Sequence, residues 1–122
     1  MRFVSPETVR ITLKNGDWIE VKKELTVGDE KRLLSSGFKR ASPGSEQIEV
    51  DWFTRSIARV EIYLVGWSAV DDKGRPVAIT RDAIETLSSE DFDVIDDAIK
   101  THQAAVDAEK KTRSMTPTST LA

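Results

Sequence analysis

The chain has 122 residues, of which 39% are hydrophobic and 32% charged, with a formal net charge of −3. That length fits one small domain plus a tail, and the composition is too apolar for a wholly disordered chain. The acidic balance disfavours duplex DNA and anionic membranes as partners, and the lack of cysteine excludes disulfides, thiolate catalysis and cysteine-ligated zinc.

The opening MRFVSPETVR has no apolar stretch of the kind a secretory leader needs, so a cytoplasmic protein is expected. Val9, Ile11 and Leu13 then alternate with Arg10, Thr12 and Lys14, and Ile19 and Val21 alternate with Trp18 and Glu20. This period of two predicts two half-buried strands around an Asn15-Gly16 turn. A two-residue loop would set Ile11 against Glu20. A three-residue loop, Lys14-Asn15-Gly16, sets Ile11 against Ile19 and Val9 against Val21. The longer loop keeps one face apolar, so it is the predicted register, with Gly16 in the left-handed position of a bulge. Arg10 then faces Glu20 on the outer side, and Trp18 lies beside Thr12.

A helix is predicted after Thr26, which with Asp29 makes a capping-box-like pair. Leu33 and Leu34 supply its apolar side, and Gly37 stops it. Residues Lys39 to Gln47 read as a loop around Ser42-Pro43-Gly44-Ser45. A second helix is predicted from about Val50 to Val65, with Asp51 at its positive end. Its apolar stripe is Phe53, Ile57, Val60 and Leu64, continued by Trp67. Trp52 flanks the stripe and is expected in the core with Trp67.

Asp71 to Pro76 reads as a turn between Val70 and Val77, allowing a short second hairpin that could cover an edge of the first. Thr80 caps a brief helix holding Ile84 and Leu87. Ser88 or Ser89 caps a final helix with a stripe of Phe92, Ile95, Ile99, His102 and Val106. The acidic group around Asp91, Asp93, Asp96 and Asp97 is expected on a solvated face. It lacks the glycine and terminal glutamate of a calcium loop. From Thr112 a Ser/Thr-rich flexible tail is expected, leaving residues 1–111 as one domain. The predicted class is α+β: an N-terminal β-hairpin followed by a small helical core of three to four helices.

Catalytic chemistry finds no foothold in this pattern. His102 is the single histidine, and it falls on an apolar stripe without a base partner or companion metal ligand. The glycines make no phosphate-cradling motif. No catalytic residue, metal or cofactor is expected. The candidate site is instead a partner-binding one, Trp18 with Arg10 and Glu20, on a sheet whose unpaired edge could accept another chain.

Three segments, VRITLKNGDWIEVKKELTVGDEKRL, IARVEIYLVGWSAVDDKGRPVAIT and DAIETLSSEDFDVIDDAIKTH, together resemble the tail assembly chaperones of long-tailed bacteriophages. The first is similar to an opening of the form DGDWIEVKKELTVGE, and the second to a centre of the form YLVDWSFxDxxGxPV. The resemblance runs from Val9 to His102. Gly66 stands where that pattern has an acid, and Ala69 where it has an aromatic residue. The resemblance implies a non-enzymatic factor of the host cytoplasm. Such a factor binds the tape measure protein while the tail tube polymerises around it, with the tail tube protein as a second candidate partner, and leaves the finished particle. The competing expectations are a structural virion protein of the tail or head–tail connector, and, less favoured by the acidity, a small nucleic-acid-binding regulator.

Overall fold

The computed structural model describes residues 1–40 and 48–115. In chain order the elements are β1 (Thr8–Thr12), β2 (Trp18–Lys22), α1 (Val27–Ser35), β3 (Phe38–Arg40), β4 (Ile48–Val50), α2 (Trp52–Tyr63), β5 (Leu64–Trp67), α3 (Arg81–Thr86) and α4 (Ser89–Met115). The architecture is α+β, with a three-stranded antiparallel sheet ordered β1-β2-β5 and a separate β3-β4 pair.

The first hairpin adopts the predicted register, pairing Val9 with Val21, Arg10 with Glu20, Ile11 with Ile19 and Thr12 with Trp18. The Leu13 N–H donates to the Asp17 carbonyl at 2.7 Å, which closes the Lys14-Asn15-Gly16 loop. Gly16 takes φ +88°, a left-handed conformation that a side chain disfavours. The register works because every inward residue is apolar: Ile19 and Val21 are fully buried, and Leu13 nearly so.

α1 carries both halves of its capping box. The Asp29 N–H donates to Thr26 Oγ1 at 3.0 Å, and the Thr26 N–H donates to Asp29 Oδ2 at 3.2 Å. Of its two leucines only Leu33 is buried, whereas Leu34 is exposed. The expected loop from Lys39 begins instead as strand, since Lys39 and Arg40 lie in β3 and pair with Glu49 and Ile48. The rest of that expected loop, residues 41–47, lies outside the described residues.

α2 is shorter than predicted at both ends. Val50 belongs to β4, and Asp51 is the N-cap, accepting from the Thr54 N–H at 3.1 Å. The helix stops at Tyr63, and Leu64 to Trp67 form β5 against β2. The cause is a β-bulge: Val21 pairs with Leu64 and Glu20 with Gly66, leaving Val65 as the extra residue. The bulge lets Leu64 and Trp67, three apart, both turn toward the core, so helical spacing and a bulged strand look alike.

Phe53 and Trp52 also depart from expectation, being 70% and 69% exposed. α2 buries Ile57, Ala58, Val60 and Tyr63, and its first turn overhangs that contact. Phe53 stacks on Phe92 with ring centroids 6.2 Å apart. The α4 stripe is as predicted: Phe92, Ile95 and Ile99 are buried, with His102 and Val106 half-buried beyond them. The acidic face is not wholly solvated, because Asp96 is buried against Arg59 at 3.1 Å. Thr80 and Ser88 cap α3 and α4 through the Ala83 and Asp91 N–H groups. α4 continues past Thr112 to Met115, and residues 116–122 of the expected tail lie outside the described residues.

Candidate functional site

The three predicted site residues come together on the outer face of the sheet. The Arg10 guanidinium carbon lies 3.8 Å from the centre of the Trp18 ring, within cation–π range. Arg10 Nη2 lies 4.0 Å from Glu20 Oε1, an open ion pair with both side chains partly in water. The pairing of Arg10 with Glu20 across β1 and β2 makes this cluster, and β5 completes it. Gly66 pairs with Glu20 and brings bare backbone beside the Trp18 ring. Trp18 is therefore half-buried under Arg10 and against Gly66. Its main chain is fixed at the same place, donating to Ser68 Oγ at 3.0 Å and accepting from the Ser68 N–H at 3.0 Å.

Lys22, next along the outer face, is drawn away from the cluster. Its ammonium lies 3.2 Å from both oxygens of Asp29, a buried carboxylate that also accepts from Arg32. Burial alone would raise the Asp29 carboxyl. The Thr26 backbone N–H and the Lys22 ammonium outweigh it and hold the group below its ordinary 3.8.

β5 covers the β2 side of the hairpin, so β1 and β5 are the two outer strands of this sheet, and β1 is the edge that lies beside α4. Hydrogen bonding in an antiparallel ladder alternates. Leu13 bonds to Asp17 and Glu7 to Lys23, so Val9 and Ile11 also direct their main chain at β2. Thr8, Arg10 and Thr12 direct theirs outward, and no described residue pairs with them. Beside this edge runs a groove of about 480 Å³ between β1 and α4. Ile11 and Leu13 form one wall, and Val94, Ala98 and Ala105 the other. Lys14, Asp97 and Thr101 supply its polar rim.

His102 borders the groove and is engaged in holding it together. Its Nε2 lies 3.1 Å from both the Lys22 and the Lys23 carbonyl oxygens, so it is a donor there, tying α4 to the end of β2. The ring meets Tyr63 edge to face. Among the described residues no group of three His, Asp or Glu side chains could hold a metal ion, and no helix is long and apolar enough to cross a membrane.

No protein-family model, curated protein or solved structure matches this chain. The site accordingly rests on its own geometry. The Arg10–Glu20 pairing was legible from hairpin register alone, whereas the β5 backbone that completes the cluster was not. The groove was not, because it requires α4 to lie alongside β1, a relationship between segments some 80 residues apart. The signal in the sequence was the pair of small residues Ala98 and Ala105, seven apart on one face of the final helix, which leave space rather than filling it.

Proposed function

We propose that this protein is a non-catalytic assembly chaperone of a long-tailed bacteriophage, acting in the host cytoplasm. It holds the tape measure protein until the tail tube closes around it. The observation that carries this reading is the open β1 edge beside an apolar groove. A surface of that kind grips a polypeptide through its main chain and releases it again, as a reversible holder of an aggregation-prone client requires. The resemblance from Val9 to His102 supplies the partner's identity. His102, the single imidazole, is used for structure, which supports a binding role over a chemical one.

Co-expression tests the proposal. The cognate tape measure protein is expected to become more soluble with this chain present, and the two to co-purify. Unchanged solubility with no complex would overturn the reading. So would stoichiometric copies in purified particles, which belong to a structural virion protein.

A further inference from the structure

We infer that β1 takes its client by strand addition: an extended segment of another polypeptide pairs with Thr8, Arg10 and Thr12 and lays its apolar alternate side chains into the β1–α4 groove. This deepens the chaperone reading and rests on it for the client being a polypeptide. Three observations select the occupant. The outward main-chain groups of these three residues have no described partner, and evenly spaced N–H and C=O groups along an edge are matched by another strand. A helix satisfies its own main chain and would leave them unmatched. The groove then lies where the alternate residues of that strand point, against Ile11, Val94 and Ala98.

Charge separates a client from a second copy of this chain. An antiparallel β1–β1 pairing that used all three outward residues would put Arg10 directly opposite Arg10. Like charges facing across strands are unfavourable. Arg10 is already positioned by Trp18 and Glu20 with its side chain half in water, so it is presented for a partner rather than withdrawn. The strand that fits carries an acid opposite Arg10 and apolar residues on either side of it.

The probe is a blocked nine-residue peptide alternating threonine with valine, with one glutamate at the central threonine-face position. Amide exchange is followed in the intact protein. With saturating peptide, the Arg10 and Thr12 amides are expected to exchange at least ten-fold more slowly, while Val9 and Ile11, already paired to β2, change little. Thr12→Pro removes only an outward N–H and is expected to weaken binding at least ten-fold, whereas Thr12→Val leaves it unchanged. Replacing the glutamate by lysine is expected to weaken binding about two- to five-fold. Absent binding, binding without protection of Arg10 and Thr12, equal binding to the Thr12→Pro variant, or a β1-mediated dimer of the free protein would each overturn the inference. If the Thr12→Pro variant still solubilises the tape measure protein, the chaperone reading stands and strand addition falls. If the peptide protects the edge but the tape measure protein is never held, strand addition stands and the chaperone reading falls.

Discussion

Arg59 on α2 reaches across to Asp96 on α4, Nη1 to Oδ1 at 3.1 Å, and both side chains are shielded from water. Lys100, one turn further along α4, closes on the other carboxylate oxygen at 3.1 Å. The pair clamps the two longest helices where their apolar stripes meet.

Removing Arg59 takes away the more buried of the two cations on Asp96 and leaves the carboxylate with Lys100 alone. Arg59→Leu is therefore expected to destabilise the fold by about 1.5–3 kcal/mol. The double variant Arg59→Leu with Asp96→Leu should recover most of that loss, because two apolar groups need no solvation. Urea midpoints of the single and double variants check this; equal midpoints would show that the ion pair is not what Arg59 contributes.

Asp29 gives the fold an acid-sensitive joint. Burial pushes its carboxyl up, but the Thr26 N–H and the Lys22 ammonium outweigh burial and hold it below the usual range. A lowered folded value means the stabilisation is present above the unfolded value near 3.9 and is lost as pH falls through the folded one. Asp29→Asn is expected to lose about 1–2 kcal/mol at neutral pH, from the ion pairs with Lys22 and Arg32. Below pH 4 its stability should approach that of the wild type. Denaturant titrations from pH 7 to pH 2 would show the two curves converging; parallel curves would refute the assignment.

The parts of this fold that were readable from sequence are those decided by neighbours. Hairpin register followed from the alternation around Asn15-Gly16, and the caps at Thr26, Thr80 and Ser88 followed from short polar side chains ahead of apolar runs. β5 was hidden because a bulge at Val65 gives Leu64 and Trp67 the three-residue spacing of a helix. Phe53 and Trp52 misled for a related reason: the apolar stripe is continuous, but α2 begins too near its contact for the first turn to be covered. Arg10 was placed opposite Glu20 and Trp18 beside Thr12, as the structure has them, since cross-strand neighbours depend only on register. The groove they adjoin depends on where α4 docks, which no local pattern encodes.

Tyr63 adds a limit at the alkaline end. Burial raises its hydroxyl to about 12, helped by the charges of Asp107 and Glu30. The neutral phenol is the form the fold favours. Stability is therefore full below the unfolded value of 10 and falls as pH rises from there toward 12. The loss is on the order of 2–3 kcal/mol, since each tenfold difference in proton affinity between folded and unfolded chain is worth about 1.4 kcal/mol. Tyr63→Phe should be free of this component, so the difference in stability between variant and wild type should change between pH 10 and pH 12. A constant difference would place the phenol in water.

The outer face is built around the missing side chain of Gly66, which lets β5 approach Glu20 and the Trp18 ring. A Cβ there would sit 3.2 Å from the Glu20 Cβ and 3.6 Å from the Trp18 ring, so even alanine requires the neighbours to give slightly. An aspartate would also place its charge beside the Glu20 carboxylate, whose Oε2 is 3.7 Å from that Cβ position. Like charges facing across strands destabilise by up to about 1 kcal/mol, and on a surface salt screens them. Gly66→Asp is thus expected to be less stable than Gly66→Asn at low ionic strength and to approach it in 1 M salt. If the two differ equally at both salt concentrations, repulsion from the Glu20 carboxylate is not what separates them.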